Sequence, residues 1–464
     1  MTTRRAFLGQ ATATLALSGL ARPAFAASHD PQALVAREAV VQLAPEGYPA
    51  TSIWGYDGTL PGTLIRVRQG ERIRRRLVNE LPQPSSVHWH GLRIENAMDG
   101  VAGLTQDPVP PGESFDYDFV APDAGTFWYH SHYNSVEQVA RGLYGALIVD
   151  EAEPVDVDHD EILMLDDWLL DTETAQLDPD FAAPHSLSHA GRRGNFVATN
   201  GAALTELPVK PNERIRLRLI NAANARIFPL TLSGLDGWVM AYDGMPLDTP
   251  EKLEGEFLLG PGQRVDLFVD VTAAAGESAH LVRLNDEEGF SQVAFPVAGD
   301  GVSRTRRDAP AALPPNPGMD VPGVEGAPVT DLLMEGGAMG GLQEAVYNGE
   351  TLGFRALVDA NQFWAFNGVV GMTDTPLMNV ARGETARVKM RNETAFPHAM
   401  HLHGMHFREV LENGDLGPLR DTLLVFRGET REIAFVGGAP GKWLFHCHML
   451  GHTASGMATW VQVT

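Results

Sequence analysis

The chain has 464 residues, more than one hydrophobic core organises, so two or three domains are expected. A composition of 44% hydrophobic and 20% charged residues is globular, and 48 glycines and 31 prolines among short Val/Ile/Leu runs point to β-rich domains with many turns. The formal net charge of -24 argues against nucleic acid or an anionic membrane as a partner, and its plain consequence is solubility.

The chain starts with a targeting pattern. Thr3-Arg4-Arg5-Ala6-Phe7-Leu8 sets two arginines before an apolar stretch from Ala11 to Leu20, and Ala24-Phe25-Ala26 offers a small-x-small cleavage site. Residues 1–26 therefore read as an export signal. The paired arginines resemble the twin-arginine type, whose route carries folded proteins to a periplasmic or secreted location. That stretch is too short to span a bilayer, and no later segment reaches the roughly 18 apolar residues required, so no membrane span is expected in the mature chain.

A repeat follows. Gly70 to Asn79 (Gly-Glu-Arg-Ile-Arg-Arg-Arg-Leu-Val-Asn) is a turn and then a strand of interleaved basic and apolar residues. It returns as Asn212 to Asn221 and again as Gly383 to Asn392. Each copy has a second turn before a strand, at Pro111-Gly112-Glu113, Pro261-Gly262-Gln263 and Arg427-Gly428-Glu429. A repeat this large, built of strands and turns, predicts three β-sandwich domains. The expected boundaries are 28–150, 153–298 and 329–464, with a Pro/Gly-rich linker over 299–328. Within the second, Thr172 to Asn195 reads as a long loop over the substrate approach. His185 and His189 on it are expected to be surface residues.

The first and third copies share more than the second. His88-Trp89-His90-Gly91 matches His401-Leu402-His403-Gly404, and His130-Ser131-His132 matches His446-Cys447-His448. The second copy has Pro229-Leu230-Thr231 where a pair would fall. Residues i and i+2 of a strand share a face, so each pair offers two imidazoles side by side. One such pair is a weak signal; four pairs in two related domains are not. Eight imidazoles at two or three per ion suggest about three metal ions, and imidazole suits copper. Cys447, the single cysteine, points to the opposite strand face, where His398, His452 and Met457 are the nearest remaining ligands. Two histidines, one thiolate and a weak axial methionine make a blue-copper electron-transfer arrangement. A lone thiol in an exported protein forms no intrachain disulfide and is a liability unless a metal holds it.

These motifs resemble the three-domain multicopper oxidases, the group of laccases, bilirubin oxidases and bacterial cuprous oxidases. The resemblance covers nearly the whole mature chain and implies an all-β architecture of three cupredoxin-like Greek-key β-sandwich domains. It implies four copper ions: a type 1 ion on His398, Cys447 and His452 with Met457 axial; a type 2 ion on His88 and His401; and a type 3 pair on His90, His130, His132, His403, His446 and His448. A cluster between domains one and three is part of what it implies. Asp99 resembles a carboxylate that assists proton delivery, and Asp421 resembles one beside the type 1 copper that contacts substrate. The family often has an acid before the last type 1 histidine. Gly451 stands there, which leaves a second proton donor without an obvious residue.

The expected reaction is one-electron oxidation of a donor with four-electron reduction of dioxygen to water. Phenols and aromatic amines are the favoured donors. The competing donor is Cu(I), in a cuprous oxidase of periplasmic copper tolerance; Met334 and Met339 are soft ligands for it, but no dense methionine segment exists. A copper-free structural relative would have lost ligands that are all present here. A two-domain nitrite reductase would lack the third repeat.

Overall fold

The structure is a computed structural model that describes residues 30–285, 288–299 and 305–464. The export signal expected over residues 1–26 lies outside the described residues. Six large sheets pair into three sandwiches. In the first, the sheet containing Gln32–Val41 and Arg72–Asn79 covers the sheet containing Val87–His90 and Gly125–Ser131. Their shared core includes Leu34, Leu77, Trp89 and Phe127. The second closes around Leu163, Leu217, Leu230 and Phe295, and the third around Leu332, Val388, Met400 and Trp443.

The repeat strand explains this regularity. In Arg72–Asn79, Ile73, Leu77 and Asn79 point inward while Arg72, Arg74 and Arg76 face carboxylates on the neighbouring strand, Arg76 meeting Asp116 at 2.6 Å. In all three copies this strand runs parallel to the first strand of its sandwich. Each copy ends on a fully buried asparagine: Asn79, Asn221 or Asn392. Each of the three donates its side-chain amide to two backbone carbonyls and accepts a backbone N–H two residues on. A buried amide satisfied this fully clamps the loop after the strand in the same shape three times.

The middle copy differs in one respect. Every residue of Arg214–Asn221 is buried, arginines included. Arg214 pairs with Asp270 at 2.7 Å and Arg216 with Asp266 at 2.5 Å, while Arg218 reaches Thr126 of the first sandwich at 3.0 Å. The face left to water in the first copy is here pressed against its neighbours. The linker packs too. Leu313, Met319 and Val321 are buried, and Asn316 exchanges hydrogen bonds of 2.8 Å with the backbone of Ala124.

Asp160 joins two sandwiches by accepting from Arg218 at 2.6 Å and from Arg66 at 2.7 Å. Burial alone would raise its carboxyl, but the hydrogen bond and charge of Arg218, with Arg66, outweigh burial and hold it below the usual value. A depressed acid stabilises the fold above its unfolded value, about 4, and that stabilisation is lost as the pH falls through the folded value. Asp160→Asn should therefore lower stability by about 2 kcal/mol at pH 7, with a penalty that shrinks below about pH 4, read as urea midpoints at the two pH values.

Candidate metal centre

Strand register builds this site. His88 lies opposite His130 in one sheet of the first sandwich, and His401 lies opposite His446 in one sheet of the third. Each His-x-His pair shares a face as alternation requires. Ring centroids are 5.6 Å apart for His88 and His90, 5.9 Å for His130 and His132, 4.8 Å for His401 and His403, and 5.7 Å for His446 and His448. The two sandwiches bring these faces together, with His88 stacked on His403 and His90 on His401, both at 3.8 Å. Ligand atoms then converge in sets within 4.8 Å: His88, His90 and His401; His90, His130 and His448; His132, His403 and His446. His398, Cys447 and His452 form a separate set.

The second partner of each ring decides what it can hold. A backbone carbonyl or a carboxylate accepts only, so a ring nitrogen bonded to one carries the proton and the other nitrogen keeps its lone pair. His88 donates from Nδ1 to the Asp99 carbonyl at 2.8 Å, and His401 donates from Nδ1 to the Asp421 carbonyl at 3.0 Å. His130 and His446 donate from Nδ1 to the carbonyls of Ser131 and Cys447. His403 donates from Nδ1 to the Asp99 carboxylate at 3.0 Å, and His90 from Nε2 to Asp421 at 3.3 Å. The freed lone pairs of His88 Nε2, His90 Nδ1 and His401 Nε2 are buried with no protein partner. Burial, reinforced by neighbouring imidazoles, holds His90, His130, His403, His446 and His448 well below the usual histidine value. Burial likewise brings His132 down to about 3. Neutral, desolvated rings with lone pairs turned inward are what a cationic metal cluster needs.

The Cys447 set lies on the other side of the same strand. Cys447 Sγ is 3.6 Å from Nδ1 of both His398 and His452, and those two nitrogens are 3.1 Å apart. His452 donates from Nε2 to the His189 carbonyl at 2.6 Å, which leaves its Nδ1 lone pair facing the sulfur. Burial pushes the Cys447 thiol up to about 12, so a thiolate persists there only beside a cation. Met457 is fully buried in the same core. The residues fit a soft metal with two imidazoles, one sulfur and a further thioether nearby.

Asp99 is buried between His88 and His403. Asp421 lies apart from the Cys447 set. It is fully buried and touches His90, His401, His406 and Arg264, not the Cys447 set, so it has no face for a donor molecule. Register explains the displacement: Thr422 lies opposite His401, while His398 lies opposite Val425.

Several participants gave no signal that sequence reasoning used. Arg264, from the second sandwich, clamps Asp421 at 2.9 and 2.6 Å and also donates to the carbonyls of Thr126 and Asp243. Burial would raise Asp421, yet Arg264 and then His90 hold it well below the usual range. Thr394 Oγ1 lies 2.8 Å from His398 Nε2. Trp364 packs on His452 at 4.2 Å and on His398 at 5.1 Å. The Thr172 to Asn195 segment carries a short helix, Pro184–Ser188, whose end covers the His452 edge; His189 is thus more than a surface residue. His185 is exposed and stacks on His189 at 4.0 Å. Beside it a cavity of about 430 Å³ is lined by Ser188, Gly337, Met339, Phe354, Leu357 and Phe363, among others.

Comparison with known proteins places the whole chain in one family. Family patterns described as multicopper oxidase match residues 39–154, 159–292 and 349–464. Multicopper oxidase MmcO of Mycobacterium tuberculosis is 30% identical, over 89% of this chain and 83% of its own. The copper resistance protein A homolog of Pseudomonas syringae is 26% identical over 100% of this chain and 99% of its own. The crystal structure of Lac15 from a marine microbial metagenome superposes with a TM-score of 0.76 at 44% identity, covering 93% of this chain and 100% of that one.

Proposed function

Because the chain belongs to the multicopper oxidase family, and is therefore an oxidoreductase that uses oxygen, we propose that it takes single electrons from phenols and aromatic amines and delivers them to dioxygen, which becomes water. One observation carries the reading. Cys447 is bonded through the backbone to His446 and His448, and those two histidines belong to different ligand sets of the buried cluster. An electron arriving at the sulfur needs only a few covalent bonds to reach both sets.

Bound copper would supply the one-electron steps and hold the four electrons that one dioxygen requires. His398, Cys447 and His452 would hold the type 1 ion with Met457 as a further weak ligand, His88 and His401 the type 2 ion, and His90, His130, His132, His403, His446 and His448 the type 3 pair. Asp99 orients His88 and His403 and is the carboxylate placed to bring protons to the cluster. The domain limits 28–150, 153–298 and 329–464 with a joining segment, and a twin-arginine export signal leading to the periplasm or exterior, complete the reading. No helix among the described residues is long and apolar enough to cross a membrane.

The donor preference rests on a cavity whose lining includes Ser188 and Phe363, the residues just before His189 and Trp364. Phe354, Leu357 and Phe363 give it an apolar lining, and Trp364 lies against both His398 and His452. A single aromatic ring suits such walls. One observation favours Cu(I) instead: Met339, at the same cavity, is 84% exposed and presents a soft thioether to solvent. Copper-loaded protein, with its metal counted, should be assayed for oxygen uptake on phenols, bilirubin and Cu(I), with and without added Cu(II). Phenol turnover independent of added Cu(II) is the expected result. Strict dependence on added copper would transfer the assignment to Cu(I), and fewer than about three bound coppers would remove the oxidase mechanism itself.

A further inference from the structure

Arginine side chains in this protein usually have a carboxylate. Arg66, Arg76, Arg214, Arg216, Arg218 and Arg264 all do, as expected where acids outnumber bases 59 to 35. Others are held by backbone carbonyls instead, as Arg192 is by those of Asp178 and Asp180. Arg193, Arg226 and Arg283 converge on a cavity of about 310 Å³ in the second sandwich.

Arg226 is partly engaged, donating from Nε to Asp167 at 2.7 Å and from Nη2 to the Gly194 carbonyl at 2.6 Å. Arg193 and Arg283 have no ion pair or hydrogen bond from their side chains among the described residues. The Nε of Arg283 is buried with no partner, although its guanidinium lies over Phe290 at 4.7 Å. The acid in the lining, Glu256, is exposed and forms no ion pair among the described residues. Burial, and after it the charge of Arg226, lowers both Arg193 and Arg283 from the usual arginine value. Three guanidinium groups share the charge of one nearby carboxylate, Asp167, while the side-chain donors of Arg193 and Arg283 have no partner among the described residues. Guanidinium forks match oxyanions two hydrogen bonds at a time, and an anion in this space would relieve both the repulsion and the unsatisfied Nε.

We propose that Arg193, Arg226 and Arg283 form a binding site for a small multivalent oxyanion, a phosphate, sulfate or small polycarboxylate. The cavity is large enough for any of these. It is separate from the metal centre, but one of its lining residues, Arg193, belongs to the segment that covers that centre and lies four positions beyond His189, whose carbonyl accepts from His452. A bound anion braces this segment where it returns to the sandwich.

Isothermal titration of the copper-loaded full chain with sodium phosphate, at an ionic strength held constant with sodium chloride, tests the proposal. The expected result is saturable binding with a Kd below about 1 mM. Arg283→Gln and Arg193→Gln should each weaken it at least about tenfold while copper content and visible absorption stay unchanged, which separates this site from phosphate at the metals. Arg193 is exposed, so its variant remains informative if Arg283→Gln folds poorly. Glu256→Gln should bind phosphate at least as well as the parent. Heats that do not saturate, or binding that survives both arginine variants or is lost in Glu256→Gln, would overturn the proposal.

Discussion

Cys447→Ser should abolish the visible thiolate absorption and lower turnover by at least about a thousandfold, the scale on which loss of one member of a cooperative catalytic unit is felt. The substitution is nearly isosteric, and the sulfur is fully buried between His398, His452 and the core, so the fold should persist. What changes is chemistry. A buried serine hydroxyl does not ionise and is a hard donor, so a metal held by two imidazoles and a soft sulfur would lose its strongest ligand. The same atom is also the first link from that metal to His446 and His448. Both the colour and the electron path therefore disappear together. The copper count should fall by about one ion per chain, while the imidazole cluster, whose ligands are untouched, keeps its own metal. Absorption spectra, metal analysis and oxygen uptake on one preparation decide the matter; a blue, active serine variant would sink the assignment.

Arg264→Met should cost about 3–5 kcal/mol of stability, because it leaves a buried carboxylate without its cation. Arg264 is fully buried and meets all three sandwiches: Thr126 of the first, Asp243 of its own and Asp421 of the third. Burial and the neighbouring Asp421 already push Asp243 up to about 6, and without Arg264 the two acids cannot both remain ionised. Asp421 also accepts from His90 and lies beside His401. Its neutralisation would release the ring orientation that turns those lone pairs toward the metal. Denaturant unfolding should thus show the loss of stability, and metal analysis should show copper missing from the cluster while the Cys447 absorption survives. Adding Asp421→Asn to Arg264→Met should recover part of the stability, since the stranded charge is then gone. A single variant within about 1 kcal/mol of the parent would mean that Arg264 only fills space.

Trp364 and the His189 carbonyl show why donor access was the least legible part of the site. Nothing local in Pro184–Ser188 marks it as a cover, because its partners Trp364, Ser455 and His452 are contributed from more than 170 positions away. The segment's hydrogen bonds to residues of the third sandwich come from the fold. Asp421 teaches the same point in reverse. A short motif says which residue is present, while the pairing of Thr422 with His401 says which ligand set it lies beside.

The amino-acid sequence alone determined the threefold repeat, the sandwich class and the twelve candidate ligands, because strand alternation and covalent adjacency act over two residues and are written in the order of the chain. Only the tertiary structure decided which pairs face each other, which ring nitrogen is left free, that Arg264 ties Asp421 to two other sandwiches, and that His452 lies beneath a segment of the second. Those properties depend on surfaces brought together from distant parts of the chain, where packing and desolvation, rather than local periodicity, set the outcome.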